Sequence, residues 1–265
     1  MPQEAFSGSP TIGGARETLV LGAVVSLVDG LLGDLDVVEV LTQLTEQCVA
    51  LLDVTSAGLL LADASGRLHL MAATSQQTRD LELFQLQSDD GPCLDCYSTG
   101  KPVMIADLTV AQERWPQFAA AATDAGFRSV HAVPMRAAGK VLGALGLFGT
   151  VADGLGHADQ LLAQTLAHVA CVAILHDDDL PSGLLDQRLG AALASRVVVE
   201  QAKGFIRSRL GLSVHDAFAA LRAYARGSNE HLTEVSRRLI VDPDSRSVIE
   251  TAIRRATHSD PITQC

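Results

Sequence analysis

One short segment without hydrophobic periodicity, His176–Gly183 (HDDDLPSG), divides this chain into two parts with different patterns. Between about 55 and 150, short apolar runs alternate with turn residues. Ala57–Ala62 and Arg67–Thr74, on either side of the turn Asp63–Gly66, predict a β-hairpin. Beyond 183, apolar residues recur every three or four positions, which is typical of helices. A chain of 265 residues is long enough for two domains, and we place their boundary in this segment.

The first part predicts an α+β domain, because helical patterns flank the strand region on both sides. Two apolar helical patterns lie between Arg16 and about Leu52, and Asp36 is a suitable N-cap for the second. Residues 1–15 are small and polar, and we expect them to be disordered. The domain is expected to span 16–176, with a linker over 177–185. Further strands are predicted at 102–106, 129–135 and 140–150, and a closing helix at 159–175.

The two parts differ in charge as well as in pattern. Residues 1–185 hold 8 Lys and Arg against 22 Asp and Glu, whereas residues 186–241 hold 9 against 5. A positive module in an acidic chain suggests a polyanionic partner, since Lys and Arg gain free energy by displacing counterions from phosphates. A solvated helix face with surplus arginine would give the same count, and charge alone does not separate the two interpretations.

The positive module predicts three helices over 186–241, followed by a tail, 242–265, with room for one short helix. Its first helix carries a narrow apolar seam, which needs a partner: either the following helices or the same helix of a second chain. Gly204 lies inside this helix and costs about 1 kcal/mol relative to Ala, which favours close approach of another backbone or a ligand. The seam consists of Leu185, Leu189, Ala192, Val199, Ala202 and Ile206.

The module resembles the ANTAR domain, the RNA-binding module of bacterial antitermination regulators. The resemblance is carried, in fixed order, by Ser195-Arg196, Glu200–Gly204, Ala217-Phe218, Leu221-Arg222, Asn229 and Leu232. It implies a three-helix domain that dimerises through its long helix and binds paired stem-loops in nascent RNA, so that a terminator hairpin does not form. Within this resemblance the candidates for RNA contact are Arg196, Lys203, Arg207 and Arg222 for phosphates and Asn229 for a loop base.

The first part is similar to the GAF domains that precede ANTAR modules in actinobacteria. Among the matching segments are Asp89–Leu94 (DDGPCL), Gly100–Val103 (GKPV), Gly126–Val130 (GFRSV) and Leu142–Leu145 (LGAL). The resemblance implies a sensor domain with an antiparallel sheet, flanking helices and a pocket for a small molecule. The Asn-Lys-Phe-Asp-Glu pattern typical of cyclic-nucleotide GAF domains is missing from the sequence. The ligand, and any cofactor, therefore stays unknown at this point.

The pair Cys93 and Cys96 is the most reactive feature that the sequence offers. If Gly91-Pro92 opens a helix, both thiols lie in its first turn, where the helix dipole favours the thiolate and hence a redox switch. Three nearby aspartates act in the opposite direction, and small buried cysteines are common. A metal site is not expected, because the histidines of this part are scattered and no second CxxC is present.

These features together predict a regulator and not an enzyme. The sequence holds no G-x-S-x-G, Walker A, HExxH or G-x-G-x-x-G motif. Its start does not resemble a signal peptide, and its apolar runs are shorter than a membrane span, which favours the cytoplasm. We expect a dimeric antiterminator whose GAF domain senses a small molecule or redox state and whose ANTAR domain binds stem-loops in leader transcripts. The alternative is a GAF-based stress sensor whose basic helices dock an acidic protein.

Overall fold

The structure, a computed structural model, describes residues 12–32, 36–137, 139–175 and 185–259. The predicted linker 177–185 lies outside these residues except for Leu185, where a helix begins. Most of the stretch 1–15 also lies outside them. A helix begins at Ile12, however, so residues 12–15 are helical where we expected disorder.

The N-terminal domain, described over residues 12–175, is built on one antiparallel sheet of five strands. Side by side they are β2 (Leu68–Ala73), β1 (Ser56–Ala62), β5 (Lys140–Gly149), β4 (Ser129–Ala137) and β3 (Val103–Ile105), numbered in chain order. The predicted hairpin is present as β1 and β2, and the α+β architecture is confirmed. Between β2 and β4, the helices Gln76–Ser88 and Pro116–Asp124 and a 3-10 helix were not predicted, whereas a helix opened by Gly91-Pro92 was considered and is present. In chain order the elements are α1 (Ile12–Leu32), α2 (Val37–Leu51), β1 (Ser56–Ala62), β2 (Leu68–Ala73), α3 (Gln76–Ser88), α4 (Pro92–Thr99), β3 (Val103–Ile105), a 3-10 helix (Leu108–Ala111), α5 (Pro116–Asp124), β4 (Ser129–Ala137), β5 (Lys140–Gly149) and α6 (His157–Leu175).

Helices cover both faces of the sheet, so β1 is buried along its whole length. Alternate residues of the strand point to opposite faces. Leu59 and Leu61 therefore join the core beneath α2 and α6, while Leu60 joins the core beneath α3, α4 and α5. Asp36 caps α2 as predicted, since its Oδ1 accepts a hydrogen bond from Val38 N at 2.8 Å.

Helix α6 is long and apolar enough to cross a membrane by length and composition alone, contrary to the expectation that every apolar run is too short. Its apolar residues include Leu166, Ala170 and Ile174, which are buried against the sheet and α2. This burial identifies α6 as a core helix of the domain.

The helical module, described over residues 185–259, holds four helices where three and a tail were expected. Ile249 and Ile253 of the last helix are buried in the core that the other three form, so the region after 242 contributes to the packing. The helices are α7 (Leu185–Leu210), α8 (Val214–Ser228), α9 (Leu232–Val241) and α10 (Pro243–Ser259).

The apolar seam of α7 is covered by the chain itself. Leu189 and Ala192 join the core of the N-terminal domain, whereas Val199 and Ile206 join the core of the helical module. Conversely, Val38 of α2, a helix of the N-terminal domain, is buried in the core of the helical module. The following helices, one of the two partners considered, cover the second half of the seam, whereas the N-terminal domain, which was not considered, covers the first half.

Candidate functional site

Three cations meet one carboxylate where α7 faces the N-terminal domain. Arg196 and Lys203 of α7 both pair with Glu200, with Lys203 Nζ 2.6 Å from Glu200 Oε2. Arg79, in the first turn of α3, reaches the same carboxylate, with Nη2 3.2 Å from Oε2. The side chains of Arg196 and Lys203 are only 9% and 10% exposed. Two of the predicted RNA contacts are therefore enclosed between the domains.

The pKa values in this cluster reflect burial and an excess of positive charge. Burial lowers the pKa of Lys203 to about 8, with Arg196 and Arg79 contributing and Glu200 opposing the shift. Burial by itself would raise the pKa of Glu200, but the charges of Arg196 and Lys203 outweigh it and hold that pKa below its usual value. Glu200 is thus ionised at neutral pH, yet it balances only part of the surrounding charge.

A third predicted RNA contact, Arg222 of α8, binds two carboxylates of α2. Its Nε lies 2.9 Å from Glu39 Oε2 and its Nη2 3.0 Å from Glu39 Oε1, while Nη1 lies 2.7 Å from Glu46 Oε1. Arg226, one turn further along α8, also pairs with Glu39. Burial opposes ionisation of Glu39, but hydrogen bonds from Arg222 and Arg226 outweigh it and lower the pKa of Glu39.

The two remaining candidates are exposed, and the structure gives one of them a local role. Arg207 lies on the outer part of α7 and makes no ion pair with a described residue. Asn229 is the C-cap of α8 in the left-handed conformation, with φ 54°. Asparagine tolerates this conformation better than most residues, so capping accounts for its presence. Contact of Asn229 with an RNA base stays a prediction.

Three of the five predicted RNA contacts are thus largely covered in this structure. In the helical module Arg196, Lys203 and Arg222 lie on one side, and that side is packed against the N-terminal domain. Sequence reasoning missed Glu39 and Glu46, which neutralise this side. The available signal was the excess of acidic residues in the first part, which is complementary to the charge of the module.

A second buried polar cluster lies between the sheet and helices α3 and α4. Glu82 is fully buried, and its Oε1 points at Gly58 and Gly146, which are paired across β1 and β5. A Cβ at Gly58 would lie 2.6 Å from Glu82 Oε1, and one at Gly146 2.5 Å from it. The two glycines therefore form the recess that the carboxyl group occupies. Gln85 donates to Glu82 Oε2 and accepts a 3.1 Å hydrogen bond from Cys93 N.

Cys93 lies in the first turn of α4 and Cys96 directly after it, but their surroundings disfavour the thiolate. Burial raises the pKa of Cys96 to about 12. Burial also raises the pKa of Cys93 well above its usual value, and the nearby Glu82 carboxyl adds to this shift. These shifts weigh against the hypothesis that the helix dipole favours a thiolate, because desolvation of a buried thiol opposes the dipole. Cys93 and Cys96 are free thiols here.

Metal-binding residues are not gathered anywhere in the described ranges. Among these residues, no three His, Cys, Asp or Glu side chains are grouped closely enough to hold an ion. The polar clusters described above consist instead of ion pairs and hydrogen-bonded neutral groups.

Comparisons with known protein families agree with the two-domain division. The family described as GAF domain matches residues 34–175, and the family described as ANTAR domain matches residues 187–240. GAF domains are sensor domains, and ANTAR domains are RNA-binding antitermination modules, so both belong to regulatory proteins. No curated protein matches the chain.

Solved structures, among them two GAF domains, are similar to this chain at low sequence identity. The GAF domain of the Acinetobacter phosphoenolpyruvate-protein phosphotransferase is 15% identical, with a TM-score of 0.48 over 62% of this chain and 96% of its own. The corresponding Coxiella burnetii domain is 15% identical, with a TM-score of 0.49 over 60% of this chain and 94% of its own. Free methionine-R-sulfoxide reductase of Neisseria meningitidis is 17% identical, with a TM-score of 0.46 over 73% and 99%. These similarities are too distant to assign an activity.

Proposed function

Because this chain belongs to the GAF domain family and carries an ANTAR domain after it, we propose that it is a cytoplasmic, signal-responsive RNA-binding transcription antiterminator. The ANTAR domain binds paired stem-loops in nascent RNA, and the GAF domain controls that binding in response to a small molecule. A small molecule is favoured over a redox signal, because Cys93 and Cys96 are buried with raised pKa values. No catalytic role is proposed for either domain.

The observation that carries this proposal is the pairing of Arg222 with Glu39 and Glu46. Nucleic-acid phosphates and carboxylates are both bound by arginine through charge-assisted hydrogen bonds. The carboxylates of α2 therefore take the place that phosphates take when RNA binds. This supports an arrangement in which the described conformation is the RNA-occluded form, and an RNA-binding form arises when the domains separate.

The signal acts by shifting the population between these two forms. Leu189 and Ala192, at the start of α7, pack in the same core as α2 and α6. A ligand that changes the packing of α2 or α6 would therefore act directly on the helix that carries Arg196 and Lys203. In this arrangement the GAF domain is both the sensor and the occluding partner.

Gel-shift titrations with a two-stem-loop RNA test the proposal in the full-length protein. Glu39→Gln removes the carboxylate charge that holds Arg222 and Arg226. We expect at least about 10-fold tighter RNA binding, since removing one partner of a buried ion pair typically costs ~3–5 kcal/mol. Glu234→Gln is the matched control, because Glu234 pairs with Arg237 within the module and not with a residue of α2.

One result would contradict antitermination through RNA, and a second would contradict the role given to Lys203. Binding of the RNA that is equally weak in wild type and Glu39→Gln would do so. A second variant, Glu39→Gln combined with Lys203→Ala, should lose the gain in affinity and reduce the dependence on salt, since fewer phosphate contacts release fewer counterions. An unchanged salt dependence would argue against Lys203 as a phosphate contact.

The alternative partner is an acidic protein, and one observation favours it. The basic residues of α8 already bind carboxylates in this chain, so a partner with paired acidic residues could replace α2. This alternative predicts that Glu39→Gln binds an acidic partner more tightly without binding RNA. The same gel-shift series therefore separates the two functions.

A homodimer remains part of the proposal, although the seam of α7 is covered within the chain. Large apolar residues are exposed instead on α1 and α6, among them Leu19, Leu21 and Leu161. Exposed apolar residues on adjacent helices are typical of protein–protein contact surfaces. Light scattering on the full-length protein measures the mass directly, and a monomer at every concentration would contradict this part of the proposal.

A further inference from the structure

A cleft of about 530 Å³ lies between the two domains, next to the three cations that share Glu200. One wall is formed by the end of β2 and the start of α3, and the other by α7 and the start of α8. We refer to it as the interdomain cleft. Its volume is within the range of about 300–1,000 Å³ that is usual for small-molecule sites.

The interdomain cleft is lined by an excess of positive charge. Arg79, Arg196, Lys203 and Arg207 all contribute to its walls. In the described part of the chain, Glu200 is the one carboxylate paired with any of them. Arg207 makes no ion pair with a described residue. Four cationic side chains against one carboxylate leave the cleft positive, which favours an anionic ligand.

Two helix N-termini open into the same cleft. Ser75 and Ser213 cap α3 and α8, which are 13 and 15 residues long, and both serines line the cleft. The first N–H groups of a helix and its dipole favour a negative charge. Asp216, in the first turn of α8, accepts a hydrogen bond from Ser213 Oγ at 2.6 Å and is not part of the lining.

Arg196 provides a second and independent indication. Its side chain is about nine-tenths buried and lines the cleft, and none of the described residues accepts a hydrogen bond from its Nε. A buried charged donor without a partner is costly, and such groups are usually satisfied by a protein group, a water or a ligand. An anion in the cleft would satisfy it.

We propose that the interdomain cleft binds the phosphate group of a small phosphorylated metabolite, held by Arg79, Arg196, Lys203 and Arg207. Both domains contribute to the site, so a bound phosphate stabilises the closed arrangement. In combination with the proposed function, on which this consequence rests, the metabolite acts as a signal that keeps the RNA-binding residues covered. The site is separate from the recess around Glu82 within the GAF domain.

Titration calorimetry on the full-length protein, without RNA, tests the site directly. The probes are inorganic pyrophosphate and AMP, with adenosine as the probe that lacks a phosphate, at about 150 mM salt so that weak surface attraction is screened. We expect pyrophosphate and AMP to bind and adenosine to give no signal. Arg207→Ala and Arg79→Ala should each weaken binding by about 10-fold or more, as loss of one charge-assisted contact predicts.

Arg237→Ala is the matched control, since Arg237 is exposed on α9, outside the cleft. It removes the same charge and should leave the affinity for both probes unchanged. Arg207 is itself exposed, so its replacement is not expected to unfold the protein, and thermal melting of each variant verifies this.

Equal affinity of wild type, Arg79→Ala and Arg207→Ala for AMP would overturn the inference, as would the absence of binding by either phosphate probe. The outcome is distinguishable from that of the proposed function. Binding of stem-loop RNA without binding of the probes would overturn the cleft site alone. Binding of the probes without RNA binding would support the cleft site and contradict the antiterminator function.

Discussion

Asp36 and Thr233 are joined by a hydrogen bond across the two domains, although 197 residues separate them. Oδ2 of Asp36 accepts from Thr233 N at 2.6 Å, while Oδ1 accepts from Val38 N at 2.8 Å. One carboxylate therefore caps α2 of the GAF domain and binds the first turn of α9 in the helical module. Glu39 lies one turn further along α2, so the closed arrangement is fixed at the start of that helix.

Asp36→Ala removes both of these interactions. Loss of the N-cap should lower the free energy of unfolding by about 1 kcal/mol, and loss of the bond to Thr233 should favour the open form. We expect a lower melting temperature together with RNA affinity that rises several-fold in gel-shift titrations. Asp107→Ala is the control, because Asp107 caps the 3-10 helix through Thr109 N at 3.0 Å, away from the module. An equal change in RNA affinity for both variants would contradict a specific role of Asp36.

The pH dependence of stability should report on Glu82. Burial raises its pKa to about 8 from a usual value of 4.5. The folded state therefore keeps the proton of Glu82 between these values while the unfolded state releases it. The free energy of unfolding then falls as the pH rises from about 4.5 to 8, because the folded state binds more protons in this window.

Thermal melting of wild type and Glu82→Gln between pH 5.5 and 7.5 measures this contribution. In the wild type the free energy of unfolding should fall by about 1.4 kcal/mol per pH unit, which over this range lowers the melting temperature by roughly 5 °C or more. Glutamine is neutral and can form hydrogen bonds at every pH in this range. The free energy of unfolding of the variant should therefore lack the pH dependence that Glu82 causes. If the melting temperatures of the two proteins changed with pH in the same way, Glu82 would be ionised throughout this range.

Most elements with a regular apolar pattern were predicted from the sequence, but the short helix α5 was missed, and so was α3, which has a polar buried face. Helix α2 and its cap Asp36 followed from residues at helical spacing. Helix α3 buries Thr78, Glu82 and Gln85 alongside Leu81, so its inner face carries no apolar stripe that periodicity detects. Polar groups can be buried there because they bond to one another, and such bonding depends on tertiary contacts.

The candidate RNA contacts were named from the sequence, and their surroundings in the fold were not predicted. The basic residues of α7 and α8 followed from charge and from the ANTAR resemblance. Their partners did not, since Arg222 and Glu39 are 183 residues apart and meet only when the domains pack together. No local pattern in either helix encodes that contact. The cleft next to Arg79 likewise depends on how α3 and α7 are placed relative to each other.

The thiols of Cys93 and Cys96 should react slowly in the folded protein. Both are fully buried and disfavour the thiolate, which is the reactive form. Alkylation with iodoacetamide at about pH 8, followed by mass spectrometry, should be at least about 100-fold slower than in the urea-unfolded chain. Cys48 is the internal reference, since burial raises its pKa to about 12. Formation of a Cys93–Cys96 disulfide on mild oxidation of the folded protein would contradict this prediction and support the redox-switch hypothesis.

Gly190 and Gly204 provide a matched pair on α7. Both are exposed, and an added Cβ would meet no atom within 4 Å at either position, so no described backbone explains Gly204. Replacing each with alanine should stabilise the helix by about 0.5–1 kcal/mol and raise the melting temperature. Gly204 follows Lys203 and lines a surface pocket together with Lys203 and Arg207, whereas Gly190 follows Leu189, which is buried in the GAF core. We therefore expect Gly204→Ala to weaken RNA binding several-fold in gel-shift titrations while Gly190→Ala leaves it unchanged. Equal RNA affinity in the two variants would mean that RNA does not approach α7 closely at Gly204.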